Sequence, residues 1–539
     1  MPDELLSLLE SMDEETCSDS FYRDLSFGTG GLRGLLGPGT NRMNLFTVMK
    51  ATRGLGTYLN ESFSPLPSCA VSYDSRIHSR DFAELTAAVL ADMGIRVYLY
   101  PCLSPTPMLS FAVRHLAASA GVMITASHNP AAYNGYKVYG PDGCQITQEA
   151  ASAIQRMIGL QPDLQVSLPS FEEHLSSGMI RYITDETTEA YYRYIMGLRV
   201  SPCRELLHVV YSPLNGTGNV PVREILRRMG NVRVDVVAGQ ELPDGHFPTC
   251  PRPNPENREA MTLAIEKTLQ TGADLCFATD PDCDRMGAGI RNGQDVTLIS
   301  GNDMGILMLD YLCRNLKNRS ALPPVVLKTV VTTDMADSLC ASFGLELRNV
   351  LTGFKYIGEQ IGLLEADGQE NRFLFGFEES YGYLSGTGVR DKDAVNAALL
   401  LCDMAAELKS KGKTLLDRLS ELRAEYGIHE QRLLSYEYSG EQGSVRMTQI
   451  MEFLRSPSEG FQDGRLRRAQ RTDYLNDNTG LPKSNVISFR LSDTDHFVVR
   501  PSGTEPKMKA YLFTRAGSGD EARARLDALQ SLVDSLCAT

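Results

Sequence analysis

A repeated local pattern constrains the fold of this chain more than any other feature of its sequence. In five places a short apolar segment, typical of a β-strand, ends abruptly in a polar loop, and four of these loops contain glycine or proline. Continuous apolar strands indicate sheets that are covered on both faces, as in α/β domains. The five segments are residues 68–74, 121–125, 207–211, 273–278 and 372–377.

Helical patterns occupy the intervals between these strands. In open α/β sheets, ligands bind at the carboxyl ends of the strands, where the polar loops of this chain are found. We therefore expect the functional residues in those loops. The predicted helices cover residues 81–93, 222–229, 258–270, 301–316 and 393–409.

The C-terminal part follows another pattern, which predicts a small antiparallel α+β domain. Residues 456–482 are polar and irregular, and we expect them to form an exposed loop. A strand followed by a helix is predicted over residues 435–454, and a final amphipathic helix over 520–538. Between them, strands are predicted at residues 486–490, 496–499 and 509–513.

Length and charge limit the class of protein. The chain has 539 residues, whereas single hydrophobic cores stop growing near about 250–300 residues, so several domains are expected. A net charge of −14 without a basic block makes the chain a poor candidate for nucleic-acid binding and gives no reason for binding to anionic membranes. The acidic start does not resemble a secretory signal, and no apolar run is long enough for a membrane helix. The 12 cysteines are scattered without a C-x-x-C pair, so we expect reduced thiols and a cytoplasmic location.

The first candidate site is the loop Thr-Ala-Ser-His-Asn-Pro at residues 125–130, with a lysine soon after it. A sharp turn would expose the Ser127 hydroxyl, and His128 and Lys137 could transfer protons or neutralise a phosphate on it. An ordinary Ser/Asn turn that caps a helix is an equal alternative from this segment alone. The G-x-S-x-G elbow of esterases is absent here.

The second candidate is an acidic loop, Asp280-Pro-Asp282-Cys-Asp284-Arg285. Three carboxylates at alternate positions converge when the loop curls, and they suit Mg²⁺, which accepts few protein ligands. An EF-hand is excluded because its sixth and twelfth positions hold arginine here. The alternative is an exposed acidic turn.

Two further loops combine hydroxyls with charges. Residues 376–382 carry Glu378 and Ser380, which suit a polyhydroxylated ligand, and Arg390 and Lys392 follow and suit an anion. Residues 500–507 offer an arginine, two hydroxyls and the backbone amide of a glycine, a set that can bind phosphate. An acidic loop with a helix cap, and a Pro/Gly turn between strands, are the respective alternatives.

Two glycine-rich segments do not match nucleotide-binding motifs. Residues 27–34 place Arg33 where G-x-G-x-x-G needs its third glycine. The Gly-Lys-Thr at residues 412–414 lacks the earlier glycine of a Walker A loop. A nucleotide kinase is therefore poorly supported.

Taken in order, these motifs resemble those of the α-D-phosphohexomutase superfamily. Details at residues 42–44, 352–357 and 390–393 resemble its phosphoglucomutase/phosphopentomutase branch. The five loops that carry the resemblance correspond to its arginine, phosphoserine, metal, sugar and phosphate loops, at residues 27–34, 125–130, 280–285, 376–382 and 500–506.

The resemblance implies a fold: three related α/β domains and a smaller C-terminal α+β domain around a central cleft. The corresponding domain boundaries are residues 1–200, 201–318, 319–432 and 433–539.

The resemblance also implies an isomerase that interconverts glucose 1-phosphate and glucose 6-phosphate through a phosphoserine at Ser127 and a bound sugar 1,6-bisphosphate. Mg²⁺, one per chain, would be held by Ser127 through its phosphate and by Asp280, Asp282 and Asp284. The implied catalytic residues are Ser127, His128, Lys137 and Arg33, with either His128 or Lys137 as the proton carrier. The implied substrate-binding residues are Arg285, Lys355, Glu378, Ser380, Arg390, Lys392, Arg500, Ser502, Gly503 and Thr504.

Other functions within and outside the superfamily remain alternatives. These are a phosphopentomutase or phosphomannomutase, and a glucose-1,6-bisphosphate synthase that uses an external phosphoryl donor. A non-catalytic phosphosugar-binding protein is least favoured, because Ser127 and all three carboxylates are present. The expected partners are small sugar phosphates, with no nucleic acid and no membrane, and the expected assembly is a monomer or weak homodimer.

Overall fold

The computed structural model describes residues 2–28, 31–63, 65–162, 168–316, 322–438, 440–457, 460–501 and 507–537. The chain divides into two compact units. Unit 1 comprises Met1–Val325 and Phe354–Leu415, and unit 2 comprises Val326–Gly353 and Leu416–Thr539. Within the described ranges, no helix has the length and apolar character needed to cross a membrane.

The first part of unit 1 is a six-stranded sheet with helices packed against it. Its elements are α1 (Pro2–Glu10), α2 (Glu14–Phe21), β1 (Gly31–Leu35), α3 (Leu45–Ser62), β2 (Ser68–Tyr73), α4 (Ser79–Asp92), β3 (Arg96–Leu99), α5 (Thr106–His115), β4 (Ala120–Ile124), β5 (Tyr133–Tyr139), α6 (Gln148–Gly159), α7 (Phe171–Ser177), β6 (Ile180–Tyr182) and α8 (Asp185–Gly197). The strand order is β1-β5-β4-β2-β3-β6, with β5 antiparallel to both neighbours and the strands β4-β2-β3-β6 parallel. The loops after β2 and β4 therefore leave the same edge of the sheet.

A second, five-stranded sheet follows in unit 1. Its elements are β7 (Leu207–Ser212), α9 (Asn219–Met229), β8 (Val232–Val236), α10 (Ala238–Glu241), α11 (Arg258–Thr271), β9 (Leu275–Thr279), β10 (Met286–Asn292), β11 (Asp295–Ile299) and α12 (Gly301–Arg314). The order is β11-β10-β9-β7-β8, in which β9, β7 and β8 are parallel and β10 is antiparallel to β9 and β11. The β9–β10 turn places residues 280–285 at the carboxyl end of a buried parallel strand.

The next elements alternate between the two units. They are β12 (Val325–Thr329), α13 (Met335–Phe343), β13 (Glu346–Val350), α14 (Phe354–Ala366), β14 (Phe373–Glu378), β15 (Gly382–Leu384) and α15 (Ala394–Ser410). In unit 1, β14 and β15 pair as an antiparallel hairpin. Asp393 caps α15, because its carboxylate accepts a 2.9 Å hydrogen bond from the backbone N–H of Asn396.

The C-terminal part of unit 2 is an antiparallel five-stranded sheet with helices. Its elements are α16 (Leu415–Tyr426), β16 (Ile428–Glu437), α17 (Gly440–Arg455), α18 (Gly464–Arg468), β17 (Gln470–Asp473), β18 (Ile487–Arg490), β19 (Asp495–Pro501), β20 (Lys507–Ala516) and α19 (Gly519–Cys537). The strand order is β16-β20-β19-β18-β17. This arrangement confirms the predicted α+β architecture of the C-terminal part.

Each unit has its own apolar interior. In the first sheet, buried residues of the strands such as Val71 and Val122 pack with Leu90 of α4. In the C-terminal sheet, Phe489 and Phe497 lie in one buried cluster with Val533 of α19. The strands are buried on both faces in the first sheet, which explains their continuous apolar sequence.

One predicted loop is wrong. The sequence predicts an irregular segment over residues 456–482, but this segment contains α18 and β17. Phe461 and Leu466 are buried in the C-terminal core, and Arg455 pairs with Asp473 at 3.0 Å. These contacts order a segment whose polar composition carries no strong periodic signal.

Candidate active site

Ser127 stands in a constrained turn just after β4. Its backbone has a φ of 52°, in the left-handed region that costs a non-glycine residue about 1–3 kcal/mol. Its side chain is 3% exposed, and its backbone N–H donates to Thr125 Oγ1 at 2.8 Å. The Ser127 hydroxyl donates a 2.9 Å hydrogen bond to Oδ2 of Asp280. Asp280 begins the acidic loop that follows β9 of the second sheet. The strained turn therefore aims the serine oxygen at the acidic loop.

A buried ion pair holds this turn in place. The guanidinium of Arg76 pairs with Asp74 at 3.3 Å, and Asp74 also accepts a 2.6 Å hydrogen bond from Thr125 Oγ1. The sequence alone assigned no function to either residue, although Asp74 ends the predicted strand at residues 68–74 and Arg76 follows it. Arg76 also donates to four backbone carbonyls of the serine loop and of the strand beyond it: those of Ser127, Asn129, Pro130 and Tyr133.

The three aspartates of the acidic loop converge. Each has a carboxylate oxygen within 4.8 Å of the others, and all three side chains are buried. Cys283, with a φ of 53°, makes the turn that brings Asp284 back towards Asp280. Among the described residues, Asp282 Oδ1 and Asp284 Oδ1 are buried oxygens without a hydrogen-bond donor. Such oxygens fit a divalent cation, because a buried acceptor without a partner is costly.

The acidity of these carboxylates reflects their crowding. Burial and the neighbouring Asp284 and Asp282 carboxylates raise the pKa of Asp280 well above its usual range. Burial acts the same way on Asp282, but the adjacent Lys137 ammonium outweighs it and lowers the pKa of Asp282. A cation bound here would relieve the repulsion between the three carboxylates, as protonation of a carboxylate does when no cation is bound.

Two lysines contact the aspartates, one from a strand and the other from a loop. Lys137, on β5, has its ammonium 2.8 Å from Asp282 Oδ2 and 3.6 Å from Asp284 Oδ2. Lys392, in the loop before α15, lies 3.1 Å from Asp284 Oδ2. Burial opposes both charges, but the facing carboxylates outweigh it and raise the pKa of Lys137 and of Lys392. Both side chains therefore carry a positive charge at neutral pH.

The residues around Ser127 add further positive charge. Arg33, on β1, donates to the Asn129 side chain at 3.5 Å, and β1 pairs with β5 so that Gly31 faces Lys137. His128 Nδ1 lies 3.3 Å from Ser127 Oγ. Burial, together with the nearby arginines and Lys137, lowers the pKa of His128 well below its ordinary value. His128 is therefore neutral at pH 7, with a ring nitrogen that can relay a proton, and it is a weaker base than an ordinary histidine.

The acidic loop also contacts the loop predicted to bind a sugar. Arg285 forms an isolated β-bridge with Gly382, at the start of β15, and its guanidinium pairs with Glu256. Glu378 ends β14, is 5% exposed, and pairs in register with Gly382. Ser380 lies in the turn between these two strands and is partly exposed.

The other predicted site residues have different partners, belong to unit 2, or lie outside the described residues. The buried guanidinium of Arg390 pairs with Glu365 at 2.8 Å rather than with the acidic loop. Lys355, at the start of α14, lies over the ring of Tyr356, 5.1 Å from its centroid. Arg500 is in unit 2, on β19, in register with Lys509 of β20. Ser502, Gly503 and Thr504 lie outside the described residues.

This arrangement suits phosphoryl transfer to and from a serine. The Ser127 hydroxyl and the ammonium groups of Lys137 and Lys392 each contact one carboxylate of a three-aspartate cluster that fits a cation. Phosphoryl transfer requires mainly positioning and neutralisation of oxygen charge.

Comparison with known families agrees with this chemistry. The family models described as phosphoglucomutase/phosphomannomutase, alpha/beta/alpha domains I, II and III, match residues 24–161, 189–293 and 300–426. A phosphoglucomutase of Staphylococcus epidermidis (strain ATCC 12228) is 38% identical over 506 residues, which are 90% of this chain and 90% of that protein. The chain belongs to the phosphoglucomutase/phosphomannomutase family. Members of this family are phosphomutases, so the protein is an isomerase.

Further relatives support the family assignment and the fold. A phosphoglucomutase of Staphylococcus aureus (strain MSSA476) is 37% identical over 95% of this chain and 93% of its own length. The crystal structure of a Thermus thermophilus protein assigned as a phosphomannomutase, 24% identical, superposes with a TM-score of 0.69 over 95% of this chain and 99% of that one. Aspergillus fumigatus N-acetylphosphoglucosamine mutase, solved with GlcNAc-6P and magnesium, is 15% identical with a TM-score of 0.52 over 96% of each chain. The predicted fold class, three α/β domains with a C-terminal α+β domain, is confirmed.

Proposed function

We propose that this phosphomutase family member is a phosphoglucomutase that interconverts glucose 1-phosphate and glucose 6-phosphate. The single observation that carries the proposal is the 2.9 Å hydrogen bond between Ser127 Oγ and Asp280 within the three-aspartate cluster. It joins a nucleophile to a candidate cation site, with Lys137 and Lys392 beside it. Relatives at 37–38% identity over most of the chain carry the name phosphoglucomutase, which favours glucose as the sugar.

Asp280, Asp282 and Asp284 fit Mg²⁺, and we propose that they hold one such ion. When bound, Mg²⁺ would supply charge neutralisation for phosphate oxygens. The hard oxygen ligands and the small number of carboxylates favour Mg²⁺ over softer metals. Among the residues described, the buried oxygens Asp282 Oδ1 and Asp284 Oδ1 have no hydrogen-bond donor, which supports the assignment.

The proposed reaction moves one phosphoryl group from Ser127 to the sugar monophosphate. A free sugar hydroxyl forms a new bond to phosphorus, the bond between Ser127 Oγ and phosphorus breaks, and a sugar bisphosphate results. The proton of the sugar hydroxyl passes to Ser127 Oγ, and neutral His128, 3.3 Å from that oxygen, carries it. Lys137 and Arg33 balance the phosphate charge. After the bisphosphate reorients, the reverse step returns its other phosphate to Ser127.

The remaining site roles are proposals of the same kind. Glu378 and Ser380 would bind sugar hydroxyls, with Arg285, Lys355, Arg390 and Lys392 as further substrate-binding residues. Arg500, Ser502, Gly503 and Thr504 would form a phosphate-binding loop. The four domain boundaries at residues 200/201, 318/319 and 432/433, and a monomeric or weakly dimeric state, also remain predictions. A cytoplasmic location is proposed on the cysteines, all of which lie among the described residues as free thiols.

The state of Ser127 provides the test of the mechanism. Intact-protein and peptide mass spectrometry are expected to find one phosphate on Ser127, and Ser127→Ala is expected to abolish turnover. The initial rate with glucose 1-phosphate should depend on catalytic amounts of glucose 1,6-bisphosphate, whereas a synthase would produce that compound stoichiometrically from another donor. Full turnover by Ser127→Ala would refute the phosphoserine mechanism.

A separate comparison tests the choice of sugar. The kcat/KM values for the 1-phosphates of glucose, mannose and ribose should be measured with the matching bisphosphate present. We expect glucose 1-phosphate to have the largest value. A larger value for ribose or mannose would reassign the protein to phosphopentomutase or phosphomannomutase activity.

A further inference from the structure

The position of Lys392 depends on two neighbouring groups besides Asp284. Its stem runs across Gly382, where any larger side chain would collide with the methylene groups of Lys392. Its ammonium lies 5.5 Å from the centroid of the Phe354 ring. These contacts leave the ammonium between two carboxylates, Asp284 and Asp391, at 3.1 Å from each.

Asp391 is itself held on both oxygens. Its Oδ1 accepts hydrogen bonds from the backbone N–H of Lys392 at 2.8 Å and from the Lys392 ammonium at 3.1 Å. Its Oδ2 accepts a 2.9 Å hydrogen bond from the hydroxyl of Tyr139. Asp391 is 4% exposed, so these bonds replace the water that would otherwise solvate it. The carboxylate of Asp391 is therefore bound by Tyr139 and Lys392 and not by the three-aspartate cluster.

Tyr139 connects this carboxylate to the strand that carries Lys137. Side chains two residues apart on a strand point to the same face, so Tyr139 and Lys137 leave β5 together. Tyr139 is fully buried, and its hydroxyl bonds to Asp391. The same strand therefore positions both lysines at the aspartates: Lys137 directly, and Lys392 through Asp391.

We propose that Tyr139 and Asp391 are positioning residues for phosphoryl transfer, which fix the Lys392 ammonium beside Asp284. The inference rests on the proposed function. An ammonium shared between two carboxylates keeps one anchor when the other carboxylate binds a cation or when a phosphate oxygen approaches. Asp391 is that anchor, and the Tyr139 hydroxyl fixes its orientation, as partners of site residues commonly do.

The chain offers a matched pair of variants to test this inference. Tyr139 donates to Asp391, and the equally buried Tyr191 donates to Asp393, two residues later in the same loop, at 3.0 Å. Tyr139→Phe and Tyr191→Phe each remove one buried hydroxyl from an aspartate, so their effects on thermal stability should be similar. Only Tyr139→Phe is expected to lower kcat, by about 10-fold or more, because only that bond orients Lys392.

Three measurements distinguish positioning from a general structural effect. In Tyr139→Phe, KM for glucose 1-phosphate should stay within about twofold, because the variant keeps the positive charge of Lys392 for substrate binding and disturbs only its alignment, which matters most in the transition state. The Kd for Mn²⁺, measured without substrate, should change by less than about threefold, because the Tyr139 hydroxyl bonds to none of the three aspartates. In a Lys392→Ala background, Tyr139→Phe should have no further effect on the residual kcat, since its influence passes through Lys392.

Variants of Asp391 provide a second test of the inference. Asp391→Asn is expected to lower kcat as Tyr139→Phe does, and Asp391→Glu to recover part of it, because a carboxylate is restored near the Lys392 ammonium. Full kcat in both Tyr139→Phe and Asp391→Asn, or an equal loss in Tyr191→Phe, would overturn the inference. A wild-type protein without mutase turnover would instead overturn the proposed function, so the two failures are distinguishable.

Discussion

Thr106 binds Asp282 twice. At the start of α5, its backbone N–H donates to the carbonyl oxygen of Asp282 at 2.9 Å, and its hydroxyl donates to Asp282 Oδ2 at 2.9 Å. Helix α5 packs on the first sheet, and the acidic loop follows β9 of the second sheet, so this pair links the part of unit 1 that carries Ser127 to the acidic loop. Lys137 also donates to Asp282 Oδ2. Among the described residues, none donates a hydrogen bond to Asp282 Oδ1, the other oxygen of that carboxylate.

Removal of the Thr106 hydroxyl should weaken cation binding without unfolding the protein. Thr106→Val keeps the shape and the backbone bond but removes one donor that orients the carboxylate of Asp282. We expect the Kd for Mn²⁺ to rise by about 10-fold, as for other partners of metal ligands. Thr106→Ser retains the hydroxyl and should bind Mn²⁺ almost as the wild type does. Equal affinity in the valine and wild-type proteins would contradict the orienting role.

Asp282→Asn should abolish Mg²⁺-dependent turnover while leaving the fold intact. Without a cation, the substitution replaces the 2.8 Å ion pair between Lys137 and Asp282 with a weaker contact to a neutral amide, while it also reduces repulsion within the aspartate cluster. The thermal midpoint of the metal-free protein should therefore fall only modestly, and unfolding should stay cooperative. Saturating Mg²⁺ should stabilise the wild type, by about 2.7 kcal/mol at about 100 times its Kd, and should not stabilise the variant.

The matched control is Asp295→Asn, at the exposed start of β11. This variant should respond to Mg²⁺ as the wild type does. Calorimetry with and without Mg²⁺ checks both expectations, and unchanged stabilisation in Asp282→Asn would reject Asp282 as a ligand.

Local sequence signals were sufficient for the strands and for the loops that follow them. The apolar segments predicted strand ends at residues 74 and 125 that differ by one residue from the observed ends at Tyr73 and Ile124. The convergence of the aspartates also followed from their alternate spacing. Each of these features depends on residues that are close in sequence, where propensity and periodicity apply.

Features that depend on distant residues could not be predicted in this way. Arg76 supports the Ser127 loop through carbonyls more than 50 positions away, and no spacing rule contains that information. The direction of the Arg390 side chain, towards Glu365, is likewise set by packing. The polar segment that forms β17 and α18 owes its order to tertiary contacts, which override a weak local signal.

A glycine beside the acidic loop should be essential for its shape. A Cβ atom at Gly216 would collide with the backbone of Pro281, and the neighbouring Thr217 binds the Pro281 carbonyl through its N–H and its hydroxyl at 2.8 and 2.9 Å. Gly216→Ala must therefore displace Pro281, at a cost of about 1–3 kcal/mol, and the aspartates on either side move with it. We expect the Kd for Mn²⁺ to rise by about 10-fold.

Gly159→Ala is the control for this substitution. Gly159 ends α6, and no atom of a described residue lies within 4 Å of the position that its Cβ would occupy. The added methyl group should leave Mn²⁺ binding unchanged and should stabilise the protein slightly, by up to about 1 kcal/mol. Similar Mn²⁺ affinities for the two alanine variants would show that the acidic loop tolerates the displacement of Pro281.

A buried histidine in unit 2 should make the C-terminal sheet sensitive to acid. His496, on β19, is 5% exposed, stacks on Phe513 at 4.3 Å, and lies 3.6 Å from Asp334. The pKa of His496 is lowered from 6.5 to about 4, mainly by burial. The positive charges of Arg490 and Lys328 lower it further, and the carboxylates of Asp334 and Asp495 offset only part of this shift. The folded state therefore keeps His496 neutral where the unfolded chain is already protonated.

The sign of the effect follows from this difference. Above pH 6.5 His496 is neutral in both the folded and the unfolded state, and the sheet has its full stability. Between pH 6.5 and about 4, His496 is protonated in the unfolded state but still neutral in the folded state, so the stability of the sheet falls as the pH is lowered. The loss should approach about 3 kcal/mol. Asp334 contributes in a lower window, because Lys328 and His496 outweigh burial and lower its pKa below the ordinary 3.8.

Hydrogen exchange of the β19 and β20 amides, corrected for intrinsic rates, measures this effect locally. Protection in the wild type should fall between pH 6.5 and 4, whereas in His496→Gln it should be lower at pH 7 and should depend less steeply on pH. The slope that remains in the variant is expected from His429 on β16, because burial lowers its pKa as well. His246→Gln, at an exposed position outside this sheet, should follow the wild type. A wild-type slope in His496→Gln would assign the acid sensitivity to another group, because the variant removes the only imidazole of β19.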